Sequence, residues 1–206
     1  MVSHTFAICA YKESPYLEEC ICSLEKQTVK SNILIATSTP NSYIKELAEK
    51  HHLPLYINTG ESGIAQDWNF AYRQAKTEYV TIAHQDDYYK PEYLQNVLEG
   101  LKKAKSPIIA FTDYGELRNG EAVEKNSLLK IKRLLLLPLR IKALWGCVWA
   151  RRLCLSLGNP ICCPSTTYVK EKFPETEYDP ISRILKVEKK DKKRIGKIAV
   201  CSAGTA

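Results

Sequence analysis

Over residues 4–112 the hydrophobic pattern alternates between short continuous apolar runs and longer runs with helical spacing. "HTFAICAY" reads as a buried strand. "ESPYLEECICSLEKQT" follows with Leu17, Cys20, Ile21 and Leu24 at i, i+3, i+4, i+7 spacing, Ser14 in N-cap position and Pro15 at the first helical residue. "NILIATS" and "NSYIKELAEKHH" repeat the pair. "LPLYINT" with "GIAQDWNFAYRQA" repeats it again, on a stripe of Ile64, Trp68, Ala71 and Ala75. A fourth pair is "EYVTIAH" with "KPEYLQNVLEGLKKA", through Leu94, Val97, Leu98 and Leu101, and "SPIIAFTD" adds a fifth strand. Strands alternating with helices of this length form βαβ units, because parallel neighbours need a long crossover that covers the sheet. The expected fold class is therefore α/β, a mainly parallel sheet with helices on both faces. Ligands in such sheets bind beyond the carboxyl ends of the strands.

After residue 114 the alternation stops. Asn119-Gly120 lies between two short polar runs, a hairpin signal. In "NSLLKIKRLLLLPLRIKALWGCVWARRLCLSLGN" apolar clusters are interrupted by Lys130, Lys132, Arg133, Arg140, Lys142, Arg151 and Arg152. Its uninterrupted apolar runs fall well short of the roughly 18 residues needed to cross a bilayer. Two readings remain: a basic amphipathic helix lying on an anionic membrane, or a core helix with a solvated basic rim. "KVEKKDKKRIGKIAVCSAGTA" is a charge run ending in small residues, expected to be poorly ordered.

Composition narrows the class. With 45% hydrophobic and 26% charged residues in 206, the chain can bury one sizeable core and lacks the overall signature of disorder. Charge is uneven: residues 1–124 hold 12 Lys/Arg against 17 Asp/Glu, whereas 125–206 hold 18 against 6. The basic half suits an anionic partner surface. Trp145, Trp149 and Tyr168 lie there without any recognition-helix or RNP signature, which argues against nucleic acid. Eight cysteines contain no C-x-x-C pair, and the first residues show no leader pattern, so reduced thiols in the cytoplasm are expected.

Asp86 and Asp87 stand side by side where the fourth strand ends. Two adjacent carboxylates repel unless something neutralises them. Either a hard divalent cation sits there with phosphate oxygens completing its shell, or one acid caps the helix near Pro91 and the other is solvated.

The residues 6–28, "FAICAYKESPYLEECICSLEKQT", together with "GESGIAQDWNFAYRQAKTEYV" and "AHQDDYYKPEYL", resemble the family 2 glycosyltransferases of GT-A (Rossmann-like) fold, in particular bacterial rhamnosyltransferase-like members. The likeness covers about residues 4–115. It implies transfer of a sugar from a nucleotide-diphosphate sugar to a cell-surface polysaccharide or lipid-linked glycan precursor, metal-dependent and inverting, with Mg²⁺ or Mn²⁺. By this resemblance Tyr11 stacks near the base with Glu13 in the same loop, and Asp67 and Asn69 line the sugar side. Gln85 and Asp86 meet the ribose and the metal-bound diphosphate, with Asp86 the metal ligand and Asp87 its supporting partner. With the basic apolar stretch and the charge run beside it, the expected division is a nucleotide-sugar core over 1–115, an acceptor-side and membrane-docking region over 116–180 and a basic tail over 181–206, in the cytoplasm and on the inner face of the cell membrane.

Three departures accompany the likeness. Thr37 and Ser38 stand where the family has two acids that hold the base. His84 replaces the first acid of the DxD signature, where it either hydrogen-bonds the nucleotide or packs at the strand end. The base that deprotonates the acceptor falls to Glu177 or Asp179, although Asp179 before Pro180 also fits a plain N-cap. The chain is accordingly expected to be C-terminally shortened, and the alternative is a weak or inactive nucleotide- and membrane-binding module.

Overall fold

The computed structural model describes residues 3–118, 121–172, 177–178, 185–186 and 197–201. The first part of the chain runs β1 (His4–Ala10), α1 (Leu17–Glu25), β2 (Asn32–Thr37), α2 (Ser42–Lys50), β3 (Leu55–Ile57), α3 (Ile64–Gln74), β4 (Tyr79–His84), α4 (Tyr93–Lys103) and β5 (Pro107–Thr112). All nine expected elements are present. A short hairpin β6 (Glu116–Arg118) and β7 (Glu121–Val123) follows, then α5 (Ser127–Leu135), two 3-10 turns and α6 (Val148–Ser156). The chain continues through β8 (Thr166–Val169), β9 (Glu177–Tyr178), β10 (Leu185–Lys186) and β11 (Lys197–Cys201).

Seven strands form one sheet in the order β11-β5-β8-β4-β1-β2-β3. β1 pairs parallel to both β2 and β4, while β8 is antiparallel to β4 and to β5. The chain steps outward from β1 to β3 and then returns to the other side of β1 as β4. That reversal opens a crevice between the carboxyl ends of β1 and β4. Because Cys9 is in register with His84, the loops leaving these two strands start side by side.

β1 is buried on both faces, as a central parallel strand must be. Phe6, Ile8 and Ala10 face a core built with α1, α2 and α4, including Leu17, Ile21, Ile44 and Leu94. Ala7 points the other way, with Val80 and Ile82, onto Ala71 and Tyr72 of α3 and Ala75 just past its end. Full burial of a Leu or Ile side chain contributes about 1.5–3 kcal/mol, so these two layers dominate the stability. One polar thread crosses the core. His4 is fully buried, with Nδ1 2.6 Å from Ser31 Oγ and Nε2 2.9 Å from Thr81 Oγ1, and Thr81 continues to Thr167 at 2.6 Å.

Four local expectations change. α1 begins at Leu17, not at Pro15, and has no side-chain cap. Ser14 is used in the preceding turn: its carbonyl accepts from Leu17 N and from the Tyr43 hydroxyl. Ile64, expected on the buried stripe of α3, is exposed, whereas Ala71 and Ala75 are buried. Lys197–Cys201, expected to lack order, pairs parallel to β5 as the edge strand, its apolar run Ile198 to Cys201 suiting a strand better than the preceding lysines do. β8 was not anticipated at all.

Candidate active site

The crevice is framed by the loops after β1, β2 and β4. The backbone N–H of Tyr11 donates to Gln85 Oε1 at 2.9 Å, and Gln85 Nε2 donates back to the Tyr11 carbonyl at 3.0 Å. Gln85 therefore ties two loops together. The Tyr11 ring is half exposed, with the Lys12 ammonium 5.2 Å from its centroid. Lys12 in turn donates its N–H to Thr39 Oγ1 at 2.6 Å, which draws in the loop after β2. Glu13 lies exposed in the same loop as Tyr11.

Asp67 and Ser38 meet across the second wall. Ser38 Oγ donates to Asp67 Oδ2 at 2.8 Å and Asn58 Nδ2 donates to Asp67 Oδ1 at 2.9 Å. Thr37 is buried, and its hydroxyl accepts from Thr39 N at 3.0 Å. The two acids expected here in related sequences are thus replaced by hydroxyls, with one carboxylate supplied from α3. Gly63 precedes that helix at φ 153°, where a Cβ would come within 2.4 Å of the Gln66 side chain. Asn69, two residues after Asp67, is buried in α3.

The acid loop continues from Gln85 on the β4 side of the crevice. Ligand atoms of His84, Asp86 and Asp87 all fall within 4.8 Å of one another. Asp86 is exposed toward solvent. The Asp87 side chain keeps 36% of its surface open, yet its Oδ2 is sealed from solvent, 3.6 Å from His84 Nδ1 and without a hydrogen-bond partner. His84 Nε2 is likewise sealed and unpartnered, and the ring stacks on Trp68 at 4.9 Å between centroids. Burial, helped by the charge of Asp86, pushes the Asp87 carboxyl up to about 7. Burial lowers His84, against the pull of Asp86. Two sealed polar atoms without partners beside a strained acid pair are what a divalent cation would relieve, so these residues fit a hard-metal site.

Several supports escaped the sequence reading. Ser23 Oγ accepts from Tyr89 N at 3.1 Å, while Gln27 gives one amide hydrogen to the Lys90 carbonyl and accepts from Leu94 N. The acid loop is thereby pinned to α1 from behind. The segment leading into β8 brings Cys162 near Asp87, and burial with that charge raises the Cys162 thiol to about 11. On the far side, Arg133 Nε donates to Asp113 at 2.7 Å and Lys132 Nζ to the Tyr114 hydroxyl at 2.6 Å. Asp179 lies outside the described residues. Glu177 is described only as backbone, in β9, which packs against α3.

A model of the glycosyl transferase family 2 domain matches residues 5–153, well over half of the chain. The chain belongs to glycosyl transferase family 2. Among solved structures, this glycosyltransferase-family chain superposes on S. aureus TarS 1-349 in complex with UDP-GlcNAc, at TM-score 0.56 and 17% identity over 84% of this chain and 47% of that one. The mannosyltransferase PcManGT from Pyrobaculum calidifontis, in complex with GDP-Man and Mn²⁺, gives 0.59 and 19%, over 84% and 46%. Glucosyl-3-phosphoglycerate synthase from Mycobacterium tuberculosis, with Mn²⁺ and UDP-glucose, gives 0.58 and 11%, over 85% and 59%. At these identities the likeness establishes the GT-A fold and no more. The chain spans about half the length of these structures. No curated protein matches the sequence.

Proposed function

We propose that this family 2 chain transfers a sugar from a nucleoside-diphosphate sugar to a glycan or lipid-linked acceptor in surface-polysaccharide synthesis. The observation that carries the proposal is the His84, Asp86 and Asp87 cluster, with its unpartnered sealed atoms, at the switch between β1 and β4.

Asp86 and Asp87 would hold Mg²⁺ or Mn²⁺, which when bound offsets the negative charge that develops on a diphosphate leaving group. Tyr11 offers a half-exposed ring for the base, and Gln85 fixes the distance between that ring and the acids. On the base side Ser38 offers a neutral oxygen backed by the Asp67 carboxylate, and Thr37, buried beneath it, holds Thr39 in place. Asp67 and Asn69 form the sugar-side wall. The base that takes the proton of the acceptor hydroxyl is assigned to Glu177 or Asp179. The packing of β9 on α3, the helix that carries Asp67, supports that assignment. An acceptor oxygen entering opposite the diphosphate inverts the anomeric centre.

The acceptor side is the apolar, basic region. No helix among the described residues is long and apolar enough to cross a membrane. Residues 125–170 contain no Asp or Glu. On α5, the turns and α6, Leu134 (64%), Trp149 (78%), Leu153 (61%) and Leu157 (81%) are exposed, and Lys130, Arg140, Lys142 and Arg152 stand among them. Such a surface suits the anionic inner face of a membrane, where lipid-linked acceptors are presented. Lys132 and Arg133 serve instead to hold Tyr114 and Asp113.

The experiment is to incubate the full chain with a panel of nucleotide sugars, with and without Mn²⁺, and follow nucleoside diphosphate release. Metal-dependent release that disappears in Asp86→Ala supports the transferase. Nucleotide binding without release for any donor would reduce the protein to a binding module.

A further inference from the structure

Where the ends of α1 and α2 meet, a second set of ligating groups comes together. Ser23, in the same turn of α1, bonds the acid loop, whereas Cys22 and Glu25 lie on the face of α1 that meets His51. Glu18, Cys22 and Glu25 share one face of α1 at i, i+4, i+7 spacing. That face meets His51, the residue that ends α2. Ligand atoms of Cys22, Glu25 and His51 all lie within 4.8 Å of one another.

The imidazole is already oriented. His51 Nδ1 lies 3.0 Å from Glu25 Oε1, whereas Nε2 is sealed from solvent, has no hydrogen-bond partner, and sits 3.8 Å from Glu18 Oε1. With the Nδ1 proton donated to Glu25, the Nε2 lone pair points toward a carboxylate with no hydrogen between them. A cation resolves that conflict. Lys50 pairs with Glu18 from the solvent side and is itself 62% exposed.

We propose that Cys22, Glu25 and His51 form a metal site for Zn²⁺ or a similarly borderline-soft divalent ion, with Glu18 or water as the fourth ligand. Sulfur, imidazole nitrogen and carboxylate oxygen are the donor set that zinc takes. Ligand atoms on one tetrahedral zinc sit about 3.3–3.8 Å apart, so movements of roughly 1 Å, mainly in the more open Cys22 and Glu25 side chains, close the shell around His51. The all-oxygen preference of Mg²⁺ excludes it from this thiolate site. A bound ion clips the ends of α1 and α2 together, whatever reaction the crevice performs.

The test uses the full chain, stripped of metal by a chelator and then kept in excess Mg²⁺ so that the acid loop is saturated. Co²⁺ is titrated while the near-ultraviolet thiolate-to-cobalt absorption is read. The expected result is a band that saturates at a single equivalent, is bleached by Zn²⁺, is lost in Cys22→Ser, and is retained in Asp86→Asn. His51→Gln and Glu25→Gln should each weaken Co²⁺ binding by at least about tenfold. All three positions are partly exposed, and unchanged far-ultraviolet dichroism checks that the variants are folded. No saturable band, or a band of equal strength in Cys22→Ser, overturns the proposal. So does a band that disappears in Asp86→Asn, because the ion would then sit in the crevice.

Discussion

Acidification should destabilise this protein through the buried imidazole of His4, and the size of that contribution follows from where the ring sits. The ring has no solvent-accessible surface and is bonded at both nitrogens to hydroxyls, with no carboxylate among its hydrogen-bond partners. Burial therefore lowers it from 6.5 to about 3. A base whose folded value is depressed contributes its full stability above the unfolded value, and that contribution is lost as pH falls from 6.5 toward 3. At pH 5 the unfolded ring is almost fully protonated and the folded one is not, a penalty of about 2 kcal/mol relative to pH 8. The figure hardly depends on the folded value as long as that stays below about 4. Urea unfolding at pH 8 and pH 5 on the wild-type chain and on His4→Gln measures it. His84, lowered by the same cause, titrates in both proteins and cancels in the comparison. His4→Gln should lose about 2 kcal/mol less than the wild type between the two pH values. Equal losses, within about 0.5 kcal/mol, would refute the reasoning, because they would mean that the folded protein accommodates a charged His4.

Three further outcomes are expected. Leu94→Ala, which empties a fully buried site between α4 and the sheet, should cost about 2–5 kcal/mol in urea unfolding. Gln85→Ala removes both of its bonds to the Tyr11 backbone at a partly exposed position, so calorimetry should show nucleotide affinity down by about three- to tenfold while stability changes by less than about 1 kcal/mol. Trp149→Glu combined with Leu153→Glu should reduce pelleting with anionic vesicles by at least about tenfold at low salt, and neutral vesicles should bind the wild type less well than anionic ones.

The alternation over residues 4–112 was legible because each strand or helix there carries its own periodic signal, from the "FAI" of β1 to Leu94 and Val97 of α4. β8 was not, because "TTYV" is four residues long and shows no pattern until it lies between β4 and β5. In the site, Asp86 and Asp87 were visible as adjacent charges at a strand end. The Trp68 stack on His84 and the hold of Ser23 and Gln27 on the acid loop were not, since they join residues 16 to 67 positions apart. Ser14 shows the opposite failure: a capping residue type was present, but a tertiary bond from Tyr43 took its carbonyl into a different turn.

The antiparallel wedge of β8 also sets an order of events during synthesis. β5 touches β4 only through a segment that leaves the ribosome more than fifty residues later, so the nascent chain must hold β4 as an open edge for that interval. A fragment ending near residue 115 would keep the nucleotide loops but expose that edge to other chains, and expression of such a piece is expected to yield aggregates where the whole chain folds.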